Sequence, residues 1–415
     1  MKTFIKSAVV LFVTIFSFSI ALAQDDYTTI HGIIKDSKTN EKLVFASVIV
    51  PGTSIGTVTN TDGEFTLKIK NSVQATELQC THLGYKNTVI SLASIKNNEV
   101  VIKLEASTVP ITEVTVRPQD ARDLINQAVE NIEKNYCSEE NVLTGFYRET
   151  VKQRKDYVLI SEAIVDIYKT PYSINSQHDK VKVFKARKGT NVKKADTLFV
   201  KLQGGPHIAL LLDVIKNPEV LFSKEAIEDY DFELADMIYI NDQLNYVINF
   251  KQKPSVDYPL FLGKIYLNTK SLAVTSLEFG INLENKTLAS QLFIKKKPFG
   301  MKIEPVSTNY LVNYTNNNGQ YYFSYARSEV KFKVDWDKKL FKSNFTIMSE
   351  IAVTDRLTDN IVKFTNKETI KENDVFSEQA NQFFDENYWG SYNTIEPDES
   401  IEAALKKFGK QMKKQ

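Results

Sequence analysis

The stretch VIVPGTSIGTVTNTDGEFTLKI, residues 48–69, decides how this chain is read. Within it Gly52, Thr53, Ser54, Ile55 and Gly56 spell G-x-S-x-G, the pattern of a serine hydrolase's nucleophile elbow. An elbow needs a buried strand entering a sharp turn and a helix leaving it. After Gly56 the chain instead reads TVTNTDGEFTL, β-branched and rich in turn formers, with no helical period. Pro51-Gly52 and Gly56 therefore read as loop punctuation between strands. Asp62-Gly63 marks a tight turn, with Thr57 and Thr59 on one arm of a hairpin and Phe65, Leu67 and Ile69 on the other. On this reading Ser54 is a loop residue, not a nucleophile.

The neighbouring sequence continues the pattern. TIHGIIKD, FASVIVPG, ATELQCTHLGYKNTVISL and NEVVIKLEA are short alternating runs separated by Gly, Asn and Asp, which predicts a small β-sandwich over residues 27–105. Residues 32–36, 45–48, 52–65 and 83–85, including Gly52, Gly56, Asp62, Gly63 and Gly84, resemble the signatures of the carboxypeptidase-regulatory-like domain common in exported Bacteroidetes proteins. That resemblance implies an immunoglobulin- or transthyretin-like sandwich. One departure is Asn60, inserted before Thr61-Asp62. The family's module is a non-catalytic accessory of metallocarboxypeptidases and also precedes the plug of outer-membrane receptors, so the resemblance implies a domain rather than an activity.

Lys2 and Lys6 precede an apolar run over residues 8–21, and Ala21-Leu22-Ala23 is a small-x-small cleavage pattern. Residues 1–23 thus read as a secretory signal peptide cut between Ala23 and Gln24, which predicts export to the periplasm or an outer-membrane-associated location. No Cys stands at the junction to take a lipid. The formal net charge of +1 gives no electrostatic pull toward nucleic acid. Cys80 and Cys137 are the two cysteines; they form a candidate disulfide or two buried thiols.

No peptidase chemistry is legible. The four histidines, His31, His82, His178 and His207, lack zinc-ligand spacing. His207 follows Gly204-Gly205-Pro206, which also reads simply as a helix start. No catalytic residue, metal or cofactor is expected.

Beyond a linker strand over residues 106–119, Asp120 caps a helix spanning 120–136 with Leu124, Ile125, Ala128, Val129, Ile132 and Tyr136 on one face. Residues 120–375 are strand-rich with little helix between strands, which predicts antiparallel neighbours. Hairpins turn at Asn241-Asp242 and over residues 268–271. In QYYFSYARSEVKFKVDW, residues 320–336, the apolar parity changes midway, so a bulge near Arg327-Ser328 or burial on opposite sides at the two ends is expected. Residues 376–415 form a helical tail lined by Ile401, Leu405 and Phe408. That ending, and charges on both strand faces, are unlike a membrane barrel.

GKIYLNTKSLAVTSLEFGI is similar to a hairpin in the curved half-barrels of periplasmic lipoprotein carriers, and the segments near 111–132 and 388–408 resemble Bacteroidetes proteins of unknown function. The fold expected is mainly β: the sandwich, then a larger antiparallel, curved-sheet α+β domain with a few helices. The function expected is non-catalytic binding or scaffolding in the envelope, with envelope proteins or an apolar ligand as partners. A TonB-linked uptake accessory and a hydrolase with a dispersed site are the alternatives.

Overall fold

A computed structural model describes residues 26–107, 120–174, 179–191, 202–337, 342–382 and 388–412. Residues 1–25, with the expected cleavage site at Ala23 and Gln24, and most of the expected linker strand lie outside the described residues.

Seven strands build the sandwich: β1 (Tyr27–Asp36), β2 (Ser47–Ile49), β3 (Gly56–Val58), β4 (Glu64–Lys70), β5 (Glu77–Thr81), β6 (Thr88–Ser91) and β7 (Glu99–Leu104). They form sheets ordered β4-β1-β7 and β3-β2-β5-β6. Alternation puts Ile30, Ile34, Val48, Leu67, Leu78 and Cys80 in the core between them. The arms expected to form one hairpin belong to different sheets: β3 pairs with β2 and β4 with β1. The Asp62-Gly63 turn is thus a crossing between layers. Buried Asn60 holds it, its Oδ1 accepting from the Asp62 and Glu64 amides at 2.8 and 2.9 Å. Gly52, Gly63 and Gly84 take left-handed backbone, whereas a Cβ on Gly56 would press on the Val48 carbonyl at 3.0 Å.

The second domain opens with α1 (Ala121–Glu130) and α2 (Ile132–Asn135), and the Asp120 side chain accepts from the Arg122 amide at 2.8 Å as the N-cap. Its strands are β8 (Asn141–Gln153), β9 (Asp156–Lys169), β10 (Lys180–Thr190), β11 (Tyr230–Ile240), β12 (Gln243–Gln252), β13 (Phe261–Asn268), β14 (Val274–Ile281), β15 (Met301–Asn317), β16 (Gln320–Trp336), β17 (Ser343–Leu357) and the short β18 (Asn381–Gln382). They make one curved sheet, β11-β12-β13-β14-β15-β16-β17-β8-β9-β10-β18, antiparallel throughout except for β18. The mainly β fold expected from the sequence is the fold observed.

One face of this sheet, the helical face, carries α1, α3 (Pro206–Leu211) and the segment around Ile370 and Phe376, which bury Leu124, Ile125, Leu210, Phe222 and Phe376 against the strands. A buried set of ions fixes the insert that contains α3. Lys169 Nζ pairs with Asp213 at 2.8 Å and Asp179 at 3.0 Å, while Tyr314 donates to Asp213 at 2.9 Å. The apolar face of the curved sheet is thus covered by the chain's own helices and loops.

The expected bulge exists but sits at Ser324. The β15–β16 register runs from Asn313↔Tyr325 to Tyr314↔Phe323, leaving Ser324 as the extra residue, its Oγ donating to the Asn313 carbonyl at 2.9 Å. Tyr321 and Phe323 before it, and Val330, Phe332 and Val334 after it, all join the helical-face core. Tyr325 and Arg327 point to the other face.

Cys80 lies in the sandwich core and Cys137 in the core of the second domain, and both thiols are unbonded. The disulfide alternative is therefore not the one adopted, because each cysteine is packed into a separate core.

Candidate functional site

The sandwich docks on the face of the sheet opposite the helices. Phe45 has φ of 59°, a conformation that costs an L-residue about 1–2 kcal/mol. That backbone places the ring 5.7 Å from Tyr325 in a stacked arrangement and 4.9 Å from the Arg327 guanidinium. Ser54 Oγ donates to Asp355 Oδ1 at 2.6 Å, and the Gly84 and Asn87 amides donate to Tyr239 O and Asp242 Oδ1 at 3.0 Å.

Residues 388–398 form a third partner in this seam. Trp389 and Ile395 pack with Val58, Phe146, Ile164 and Tyr325. Thr57 Oγ1 donates to the Thr394 carbonyl at 3.0 Å, Thr61 Oγ1 to Asp398 at 2.7 Å, and Lys68 and Asn393 exchange two backbone–side-chain bonds. The helix that follows, α4 (Glu399–Met412), seats Ile401 and Phe408 on Tyr157 and Ile160.

Beneath the seam runs a row of alternating charges across five adjacent strands. Arg327, Glu350, Arg148, Glu162 and Arg187 are successive cross-strand neighbours on β16, β17, β8, β9 and β10. Their ion pairs measure 2.9, 3.2, 2.8 and 2.7 Å in that order. Burial pushes the Glu162 carboxyl up, but Arg148 and Arg187 outweigh it and hold it below its ordinary value. Phe45 covers one end at Arg327, and Trp389 lies 4.9 Å from Arg187 at the other. The sequence carries a signal for this row. Arg148 in LTGFYRETV, Glu162 in VLISEAIV and Glu350 in TIMSEIAV are charges within strand runs rich in apolar residues, and charges buried there need partners.

Beside the docked contacts, sandwich and sheet leave a cleft of about 1450 Å³. Its sandwich wall includes Ile49, Ser54, Gln79 and His82; its sheet wall includes Leu262, Lys264, Ser276, Glu278, Asn313, Tyr322 and Arg356. Burial holds the His82 imidazole down at about 4, so it is neutral at physiological pH. The lining mixes apolar groups with dispersed hydrogen-bonding groups, which suits binding.

Catalytic geometry is another matter. Ser54 does lean on an acid, but Asp355 Oδ1 also accepts the Arg356 amide at 2.8 Å. No histidine is hydrogen-bonded to Ser54 among the described residues. His31 bonds Thr66 at 2.8 Å, His82 packs 5.3 Å from Tyr85, His207 Nε2 lies 3.8 Å from Glu372, and His178 is outside the described residues. A carboxylate acting alone on a serine lacks the relay that a nucleophile requires. Nor, among the described residues, do three His, Cys, Asp or Glu side chains converge as metal ligands would.

Three solved structures show likeness to this chain. A DUF1329 family protein from Desulfovibrio piger is 10% identical over 59% of this chain and 95% of its own, with a TM-score of 0.24. A LolA superfamily protein from Nitrosomonas europaea is 11% identical over 61% and 98%, with a TM-score of 0.19. A structure of lipovitellin, titled for its lipid–protein interactions, is 10% identical over 57% and 27%, with a TM-score of 0.25. No curated protein matches the chain. Residues 30–116 match the family model of the CarboxypepD_reg-like domain, so it is the sandwich, about a fifth of the chain, that is similar to that family.

Proposed function

We propose that this chain is a non-catalytic, exported binding protein of the cell envelope, and that the cleft between sandwich and sheet takes a ligand with an apolar body. The observation that carries the reading is the cleft itself. At about 1450 Å³ it exceeds the roughly 300–1,000 Å³ of an ordinary small-molecule pocket. Leu262, 42% exposed on β13, stands in it. The accessory nature of the matched domain and the leader-like residues 1–23 support the non-catalytic and exported parts. In this reading the sandwich serves as one wall of a binding site within its own chain.

The test is titration of the intact mature protein with N-phenyl-1-naphthylamine, a neutral apolar fluorophore. Saturable binding that Leu262→Glu weakens about fivefold or more is expected, since a carboxylate at an apolar wall must be desolvated. Absence of saturable binding, or equal binding by the variant, would remove the reading.

A further inference from the structure

The cleft's charges narrow the ligand further, on the footing of the reading just given. Arg356 lines the cleft near the end of β17, its guanidinium carbon 3.5 Å from the centre of the Tyr322 ring. Stacking on a ring leaves the in-plane N–H edge of a guanidinium available for hydrogen bonds. Its Nε is buried without a hydrogen-bond partner, and among the described residues no carboxylate pairs with it. The neighbouring Asp355 is already engaged, by Ser54 and by the backbone amide of Arg356. Of the other cations of the cleft, Arg327 pairs with Glu350 and Glu329, and Lys264 stands opposite Glu278 in the register of β13 and β14. A buried guanidinium nitrogen without an acceptor is costly unless something supplies one.

The cleft is also polarised along β15. Tyr322 lies opposite Thr315, whereas Thr308 abuts Gly280 on β14, the register partner of Leu262, and its Oγ1 accepts from the Ile281 amide at 2.7 Å. Seven residues of extended strand separate these two points, roughly 24 Å. Arg356, stacked on Tyr322, therefore stands at one end, and the half-exposed Leu262, two residues from Lys264, at the other.

We propose that the ligand is an anionic amphiphile, whose carboxylate or phosphate takes the in-plane edge of Arg356 while its hydrocarbon runs along β15 toward Leu262 and Leu283. The geometry is that of an extended acyl chain with its head at the Tyr322 end.

The test uses cis-parinaric acid, its methyl ester and dihexanoyl phosphatidic acid, each titrated into the intact protein and into Arg356→Gln and Arg356→Lys. Charge-assisted, bidentate hydrogen bonding predicts that Arg356→Gln weakens an anionic probe about tenfold or more, with partial recovery in Arg356→Lys. The ester should bind the native protein about as weakly as the acid binds Arg356→Gln, and should be indifferent to the substitution. Whichever anionic probe shows the arginine dependence identifies the head group as carboxylate or phosphate. If acid and ester bind the native protein equally, the anionic seat is wrong while the cleft stands; that comparison needs no variant to fold. If no probe binds, both readings fall.

Discussion

Arg148 and Glu162 stand directly opposite one another on β8 and β9, paired at 2.8 Å with side chains 2% and 1% exposed. The same guanidinium reaches Glu350 at 3.2 Å and the Ile395 carbonyl at 2.8 Å, so one side chain ties two sheet neighbours to the seam segment. Replacing it by Met would leave two carboxylates short of a counter-charge in a dry environment. Arg148→Met is expected to cost about 3–5 kcal/mol in urea unfolding. Because the pairs are buried, the cost should be nearly the same at high salt as at low. A loss below about 1 kcal/mol would show that the row of charges is not closed.

Glu149 predicts a pH effect of unusual sign. It is buried on the helical face and Tyr147 donates to its Oε2 at 2.9 Å, but Oε1 has no partner, nor does Ser161 Oγ directly opposite in register. Burial pushes its carboxyl up to about 8, against the lowering effect of Tyr147. The unfolded chain ionises this group near its ordinary value of 4.5. Between those values the folded state holds the extra proton, so its stabilisation is complete below the lower value and declines as pH rises through the upper one. The slope is about 1.4 kcal/mol per pH unit for this group. Glu149→Gln should remove that slope and gain stability at pH 8, read from thermal unfolding at pH 5, 6.5 and 8. Parallel pH profiles for variant and native protein would contradict this.

Ser54 is expected to act as a docking residue. Its bond to Asp355 joins the sandwich to the end of β17, and Ser54→Ala should loosen that contact by about 1 kcal/mol. Faster amide exchange is expected around residues 54–58 and 355–357, with no change in the sandwich core. Hydrolysis of p-nitrophenyl esters should be at background in both proteins. A burst of p-nitrophenol that vanishes with Ser54→Ala would restore the nucleophile reading.

What the sequence made legible was local. Period-two alternation placed the strands, and Asn241-Asp242 announced a hairpin because both residues tolerate the left-handed φ of 52° and 54° they adopt. Parity in residues 320–336 required an interruption, but parity constrains only the sum along a strand. The bulge could therefore fall at Ser324 as well as at Arg327-Ser328. The Asp62-Gly63 turn was recognisable, yet nothing local says whether its arms stay in one sheet or part into two. The cleft was out of reach for a related reason. Its walls come from segments some hundreds of residues apart, as Ser54 and Asp355 illustrate, and no periodicity relates them.

The placement of residues 388–398 carries a consequence for how the molecule is made. Thr57 and Thr394 are 337 positions apart, and the contacts that seat the sandwich draw on that distant stretch. Emerging first, the sandwich can close its own core early, but it must wait, unanchored, while the long sheet is threaded out and zipped together. Contacts so remote form late and slowly. Until they do, the charged row under Phe45 and Trp389 lies open to water, and the cleft has only one of its walls.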